Sequence, residues 1–203
     1  MMKDIRINSV GEDITQANAS TVTYDQPEIW SLVRRAAGGD VDAFGDLYSI
    51  YLGSIYRYVF YYVRDKMIAE DITQEVFVKA WKAIGSCKGK ERTFSPWLYR
   101  IAHNQVIDVF RSAPKHTTID MPAESLLQTS DIEKETEVRS EWEQALEAIS
   151  RLPEKQKHVI ILKFIEGMDN REIEKITDIN QTAIRVLQMR ALNTLRQQLH
   201  KGI

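Results

Sequence analysis

The sequence predicts an all-α fold, two small helical domains joined by a flexible acidic linker. Apolar residues recur at steps of three and four in every long segment, and no segment alternates with the period of two that a strand needs. One polar, proline-bearing stretch interrupts the helical pattern near the middle of the chain. At 203 residues, with 43% hydrophobic and 28% charged content, the chain has the composition of an ordinary soluble protein and room for two small cores.

Residues 1–26 are polar, rich in Ser, Thr, Asn and Gln, and carry no sustained apolar period, so they are expected to be a mobile tail. The first domain is assigned to residues 27–112. Pro27 suits a first helical turn, Ile29, Trp30, Val33 and Ala37 follow at helical spacing, and "GGD" closes the segment. Asp40 then caps a second helix, in which Ala43, Phe44, Leu47, Ile50, Tyr51, Ile55, Val59 and Phe60 lead to Val63. A third helix is predicted from about Ile68 to Ile84 and a fourth from about Pro96 to Arg111, with "GSCKGKERTFS" as a basic loop between them. "SAPKHTTIDMPAESLLQTSD" has two prolines and no period, which places the linker at residues 113–135.

The second domain, residues 136–203, opens with a helix through Trp142, Leu146 and Ile149. Pro153 starts another, carrying Val159, Ile160, Leu162 and Phe164, and Gly167 stops it. Asp169 or Asn170 caps the short helix "REIEKIT", the turn "DIN" follows, and "QTAIRVLQMRALNTLRQQL" runs almost to the end. A short helix, a tight turn and a longer helix form a helix-turn-helix.

Charge is unevenly spread. Between Ser112 and Ser150, Asp120, Glu124, Asp131, Glu133, Glu135, Glu137, Glu141, Glu143 and Glu147 face only Lys115, Lys134 and Arg139, whereas Lys88–Arg111 and Arg151–Lys201 carry a basic excess. An overall charge of -2 therefore leaves two basic modules on an acidic connector. No apolar run approaches a membrane span and the N-terminus lacks signal-peptide order, so a cytoplasmic protein without membrane insertion is expected. Cys87 is a lone cysteine, and His103, His116, His158 and His200 stand in unrelated contexts, so no metal, cofactor or catalytic constellation is expected.

In the last helix Ile184, Leu187, Ala191, Leu192 and Leu195 take the buried period. Thr182, Arg185, Val186, Met189 and Arg190 are then turned outward, with Gln181 at the start. Arg and Gln can hydrogen-bond base edges in a major groove, and Thr, Val and Met suit a thymine methyl. The exposed N-terminus of the preceding helix, with Asn170 and Arg171, suits a phosphate. In "AEDITQEVFVKAW", Asp71, Gln74, Glu75 and Val78 share one helical side, either a solvated face or a docking surface for a basic helix. "TFSPWLYRIAHNQVIDVFR" beside Lys88, Lys90, Arg92 and Phe94 combines rings and cations, as a surface for single-stranded DNA requires. Leu98, Ile101 and Ala102 are core positions. Phe94, Arg100, His103, Asn104 and Arg111 are the candidates for contact, and Trp97 suits either role.

From about Pro27 to Leu199 the chain resembles a bacterial RNA polymerase sigma factor of the extracytoplasmic function (ECF) group, in the short form with conserved regions two and four. "GDVDAFGDLYSIY", "AEDITQEVFVKAW" and "FSPWLYRIAHNQVIDVFR" are similar to successive parts of region two, and "LPEKQKHVIILKFIEGMDNREIEKITDINQTAIRVLQMRALNTLR" to region four. The resemblance implies a non-catalytic factor that binds core RNA polymerase at the clamp helices of the largest subunit and at the flap, recognises minus-35 and minus-10 promoter elements and helps melt DNA. It gives Asp71, Gln74 and Glu75 to the polymerase. The loop of residues 86–95 and the following helix, with Asn104 at a pocket for a flipped base, go to the minus-10 strand. Arg185, Val186, Met189 and Arg190 go to the minus-35 element, where the residue pattern adds Asn170, Arg171, Gln181 and Thr182. An anti-sigma factor is a further implied partner. Val186, Leu187, Glu174 and His103 depart from the commoner residues of the family. The residue patterns also fit a conventional helix-turn-helix regulator with an N-terminal sensing or dimerisation bundle, which would bind duplex without polymerase.

Overall fold

A computed structural model describes residues 26–87, 94–112 and 134–200, and every regular element in them is helical. Helix α1 (Gln26–Ala37) buries Ile29, Val33 and Ala36 and ends at Gly39, whose φ of 94° is one that glycine adopts without strain. The chain then turns into α2 (Val41–Val63), where the Asp40 carboxylate accepts the Ala43 amide at 3.0 Å and also pairs with Arg35 at 2.8 Å. Arg64 closes α2 in the left-handed region, its N–H donating to the Phe60 carbonyl at 2.8 Å. Asp65 caps α3 (Lys66–Ala83) through the Ile68 amide at 2.9 Å, and a 3-10 turn, Ile84–Ser86, follows. Helix α4 (Phe94–Ser112) completes the first domain. Its core joins Leu47, Ile55 and Val59 of α2 to Ile72, Val76 and Ala80 of α3 and Leu98, Ala102 and Val106 of α4.

The second domain comprises α5 (Lys134–Ser150), α6 (Glu154–Ile160), α7 (Asn170–Thr177) and α8 (Gln181–His200). Between α6 and α7 the chain makes a π turn, Ile161–Ile165, in which the Glu166 amide reaches back five residues to the Ile161 carbonyl at 3.0 Å. That turn puts Ile161, Leu162 and Ile165 all inside. Gly167, at φ 71°, then ends the helical run where the sequence predicts a stop. Ile173, Ile176, Ile184 and Ala191 hold the helix-turn-helix together and are continuous with the core of the first domain.

The two domains pack together. Helix α4 lies against α7, and α2 lies against the π turn. Ion pairs, hydrogen bonds and rings cross this seam, which the helical period of either half could not reveal.

Candidate nucleic-acid interface

In α8 the apolar period turns Ile184 and Ala191 fully inward and half-buries Leu187, Leu192 and Leu195 against the core. Thr182, Arg185, Val186, Met189 and Arg190 consequently stand exposed on the opposite side, with Met189 at 58%. Asn180 starts the helix, its Oδ1 accepting the Ala183 amide at 2.9 Å. The side-chain Nε2 of Gln181 donates to Glu174 at 2.8 Å, and Gln188 Nε2 donates to Asn170 Oδ1 at 3.0 Å. Gln181 and Asn170 thus brace α7 against α8 and are less free to meet DNA than the sequence suggests.

The N-terminus of α7 also departs from expectation. Asp169 accepts the amides of Arg171 at 2.8 Å and Glu172 at 2.9 Å, while the Glu172 carboxylate accepts the Asp169 amide at 2.9 Å. The Glu172 amide in particular holds the Asp169 carboxyl below its ordinary range, with the Arg171 amide and the Arg171 and Lys163 cations adding to the effect. An internal anion therefore occupies the end where a phosphate was expected, and Arg171 alone of that pair remains exposed.

Helix α3 turns Ile72, Val76, Phe77 and Ala80 inward, and the Thr73 hydroxyl donates to the Ala69 carbonyl at 2.6 Å. Asp71, Gln74 and Glu75 are exposed, and no ion pair among the described residues uses either acid. Met67, Asp71, Gln74, Val78 and Trp81 follow one another at steps of four and three along that side, with Met67 at 76% and Val78 at 44% exposure. With Asp71 and, beside it, exposed Glu75 in the middle and apolar residues at both ends, this stripe has the heptad spacing that one helix offers to another. Trp81 is fixed by a tilted ring contact to Phe44 at 4.9 Å, and Phe77 beneath meets Tyr48 edge-on at 4.7 Å.

The residues proposed for an unwound strand separate in the structure. Phe94 is buried at 2%, edge-on to Tyr51 at 5.2 Å and beside Trp97 at 5.7 Å, because the first turn of α4 closes the end of the bundle. It is a core residue, contrary to its expected exposure, and Trp97 packs half-buried beside it. His103 is buried as well. Arg100 is exposed, yet its guanidinium is tied to the Asp178 carboxylate and donates to the Lys175 carbonyl at 3.1 Å. Asn104 and Arg111 remain on open surface. Lys88, Lys90 and Arg92 lie outside the described residues.

A cluster foreseen by no sequence pattern sits where the domains meet. The Tyr58 hydroxyl, fully buried, lies 2.9 Å from His158 Nδ1 and 3.3 Å from His103 Nδ1, and the two imidazole nitrogens are 3.2 Å apart. The expectation that these histidines stand in unrelated contexts is therefore overturned: folding brings residues 55 apart into ring contact. Tyr62 stacks on His158 at 4.2 Å. Next to them Glu166, whose side chain is 2% exposed, accepts from Arg57 at 3.0 and 3.2 Å and from the Tyr99 hydroxyl at 2.6 Å. Among the described residues no group of three His, Cys, Asp or Glu side chains has the arrangement of a metal site, and no helix is long and apolar enough to cross a membrane.

Comparison with known proteins agrees with this architecture. The family model for sigma-70 region 2 matches residues 47–115, and that for sigma-70 region 4 matches residues 142–195. Among curated proteins, the chain is 35% identical over 179 residues to the ECF RNA polymerase sigma factor BldN of Streptomyces coelicolor, covering 86% of this chain and 67% of that one. It is 33% identical over 177 residues to SigW of Bacillus subtilis, another ECF RNA polymerase sigma factor, with 82% and 94% covered. Among solved structures, CnrH in complex with the cytosolic domain of CnrY superposes with a TM-score of 0.67 at 23% identity, over 88% of this chain and 100% of that one, a likeness of fold. The chain belongs to the ECF group of the sigma-70 family. It is a transcription-initiation factor, the component that gives RNA polymerase its promoters.

Proposed function

We propose that this sigma factor docks on a basic helical element of core RNA polymerase through the α3 stripe, reads the minus-35 duplex with α8 and holds the opened minus-10 strand along the loop before α4 and the outer side of α4. The exposed row Arg185, Val186, Met189 and Arg190 carries the reading. It is the stretch of a helix-turn-helix second helix that faces a major groove, and it mixes bidentate donors with apolar groups as base readout requires. The acid-centred stripe at heptad spacing supports a coiled-coil partner with basic residues.

A net charge of -2 adds a functional expectation. Non-specific DNA affinity comes mainly from counterions released by a basic protein, so the free chain should hold DNA poorly and depend on the polymerase. In vitro transcription with core enzyme on a genomic fragment library, with start sites mapped, tests the whole proposal. Loss of a bidentate base contact in Arg185→Ala should weaken promoter binding of the holoenzyme by about 1 to 3 kcal/mol. An unchanged affinity would remove α8 from the readout.

Flipping a base out of the stack costs roughly a few kcal/mol, which side chains on the capturing surface have to offset. Asn104 is the exposed amide of α4. Asn104→Ala should leave core binding intact and slow strand opening. Thymines of the minus-10 element that stay as reactive to permanganate as with the parent protein would reject that role.

A further inference from the structure

The seam between the two domains is more polar than packing alone needs. Within it lie a carboxylate with two donors, a buried tyrosine hydroxyl and two imidazoles in contact. It is also imperfect. Nε2 of His158 is buried and has no hydrogen-bond partner among the described residues, a deficit that water would repair if the domains separated. And it has a cost for function: Arg100 and His103, both on α4, are engaged by α7 and α6, whereas Arg185 and Arg190 on α8 stay open.

We propose that the cluster of Arg57, Tyr58, His103, His158 and Glu166 is a latch, which holds the free chain closed with part of the strand-capturing side of α4 covered, and which stays shut only while both histidines are uncharged. In the closed form the duplex-reading row of α8 is available, whereas on α4 Arg100 and His103 are engaged and only Asn104 and Arg111 stay open. The strand-capturing side of α4 rests on the role proposed above for that helix; the latch itself does not.

The surroundings of the pair explain its sensitivity to charge. From α2 come Tyr58, Tyr62 and Arg57; from α4, Tyr99 and Arg100; from α6, Glu154 and Lys157; from the end of the π turn, Glu166; and from the end of α7, Asp178. Two of the acids are held by other groups, Glu166 by Arg57 and Tyr99 and Asp178 by Arg100, and the third, Glu154, acts on Lys157. Lys157 lies 5.0 Å over the Tyr62 ring that stacks on His158, so a cation stands close to the imidazole it would repel once charged. Burial first, and the Arg100 cation second, depress the His103 pKa to about 4. Burial, then His103 and Lys157, depress that of His158 to about 2.

Because the closed-state values lie below the ordinary histidine value of about 6.5, closure is fully supported above that pH and is lost as pH falls toward 4. At pH 5 each histidine should favour the open form by about 30-fold relative to neutral pH.

Spin labels on the full chain at Asp46→Cys and Arg196→Cys, both exposed, in a Cys87→Ser background, report the separation of the domains without any DNA. The expected result is one short, narrow distance at pH 7.5 and a reversible long, broad population at pH 5. Arg57→Glu, which sets a carboxylate against buried Glu166, should give the long population at both pH values. A broad distribution for the parent sequence at pH 7.5, or a distance unmoved at pH 5, overturns the latch. So does an Arg57→Glu chain that keeps the short distance. If that variant loses its helical circular dichroism, the reversible pH arm on the parent sequence decides. A closed chain whose Asn104→Ala variant still opens promoters normally would keep the latch and reject the reading of α4.

Discussion

Reversing the acids of the α3 stripe, Asp71→Arg together with Glu75→Arg, is expected to lower affinity for core RNA polymerase about 100-fold while leaving the fold intact. Both side chains are exposed and neither enters an ion pair among the described residues, so their loss should change stability by no more than ~0.5 kcal/mol. Two cations facing a basic partner helix are another matter. Like charges brought together across an interface cost roughly 3 kcal/mol, and every 1.4 kcal/mol is about tenfold in Kd. The apolar ends of the stripe, Met67, Val78 and Trp81, would be unable to make up that deficit without bringing the new charges closer. Titration of labelled core enzyme with the variant measures the effect, and a Kd within threefold of the parent's would move the docking surface elsewhere.

Leu98→Ala should cost roughly 2 to 5 kcal/mol of stability. Leu98 has no exposed surface and belongs to the core that joins α2, α3 and α4, so truncation leaves a cavity that the rigid helices around it can only partly close. Thermal unfolding followed by circular dichroism should show a transition lowered by about 5 to 15 °C. A loss below about 1 kcal/mol would mean that α4 is not anchored through this side. The consequence reaches function, since Asn104 is held on the surface by the same helix. Trp97, one residue earlier and half-buried, has no such monopoly on the core.

The two predictions differ in how readily the sequence announces them. Spacing alone places Leu98 inside and Asp71 and Glu75 outside, because a helix turns the same amount at every residue. Caps were equally plain: Asp40 and Asp169 stand where a carboxylate can take orphan amides, and both do so. Helix limits were legible to within about two residues, α3 starting at Lys66 and α4 at Phe94. Phe94 is buried rather than exposed for a physical reason. A ring beside a basic loop has the composition of a contact, but whether it faces DNA or closes the bundle depends on Tyr51, 43 residues away, and no local pattern holds that information. "ILKFI" likewise has the same apolar content in an α or a π turn, and only the Glu166 amide bonding to Ile161 distinguishes them. His103 and His158 belong to different domains, so their meeting is a property of docking that neither period encodes.

The π turn has a bearing on exchange of parts between relatives. An α-helix turns each successive residue by about 100°, so one residue more or less re-aims everything after it. Ile161–Ile165 holds one residue more than a single α turn between its bonded ends, and Glu166, next in line, points into the seam toward Arg57 as a result. A chimaera that takes its helix-turn-helix from another sigma factor has to inherit that count. Splicing at Gly167 preserves the aim of Glu166 and leaves the incoming reader free to change, whereas a graft begun inside α6 that drops one residue would deliver a well-folded reader rotated away from its own first domain.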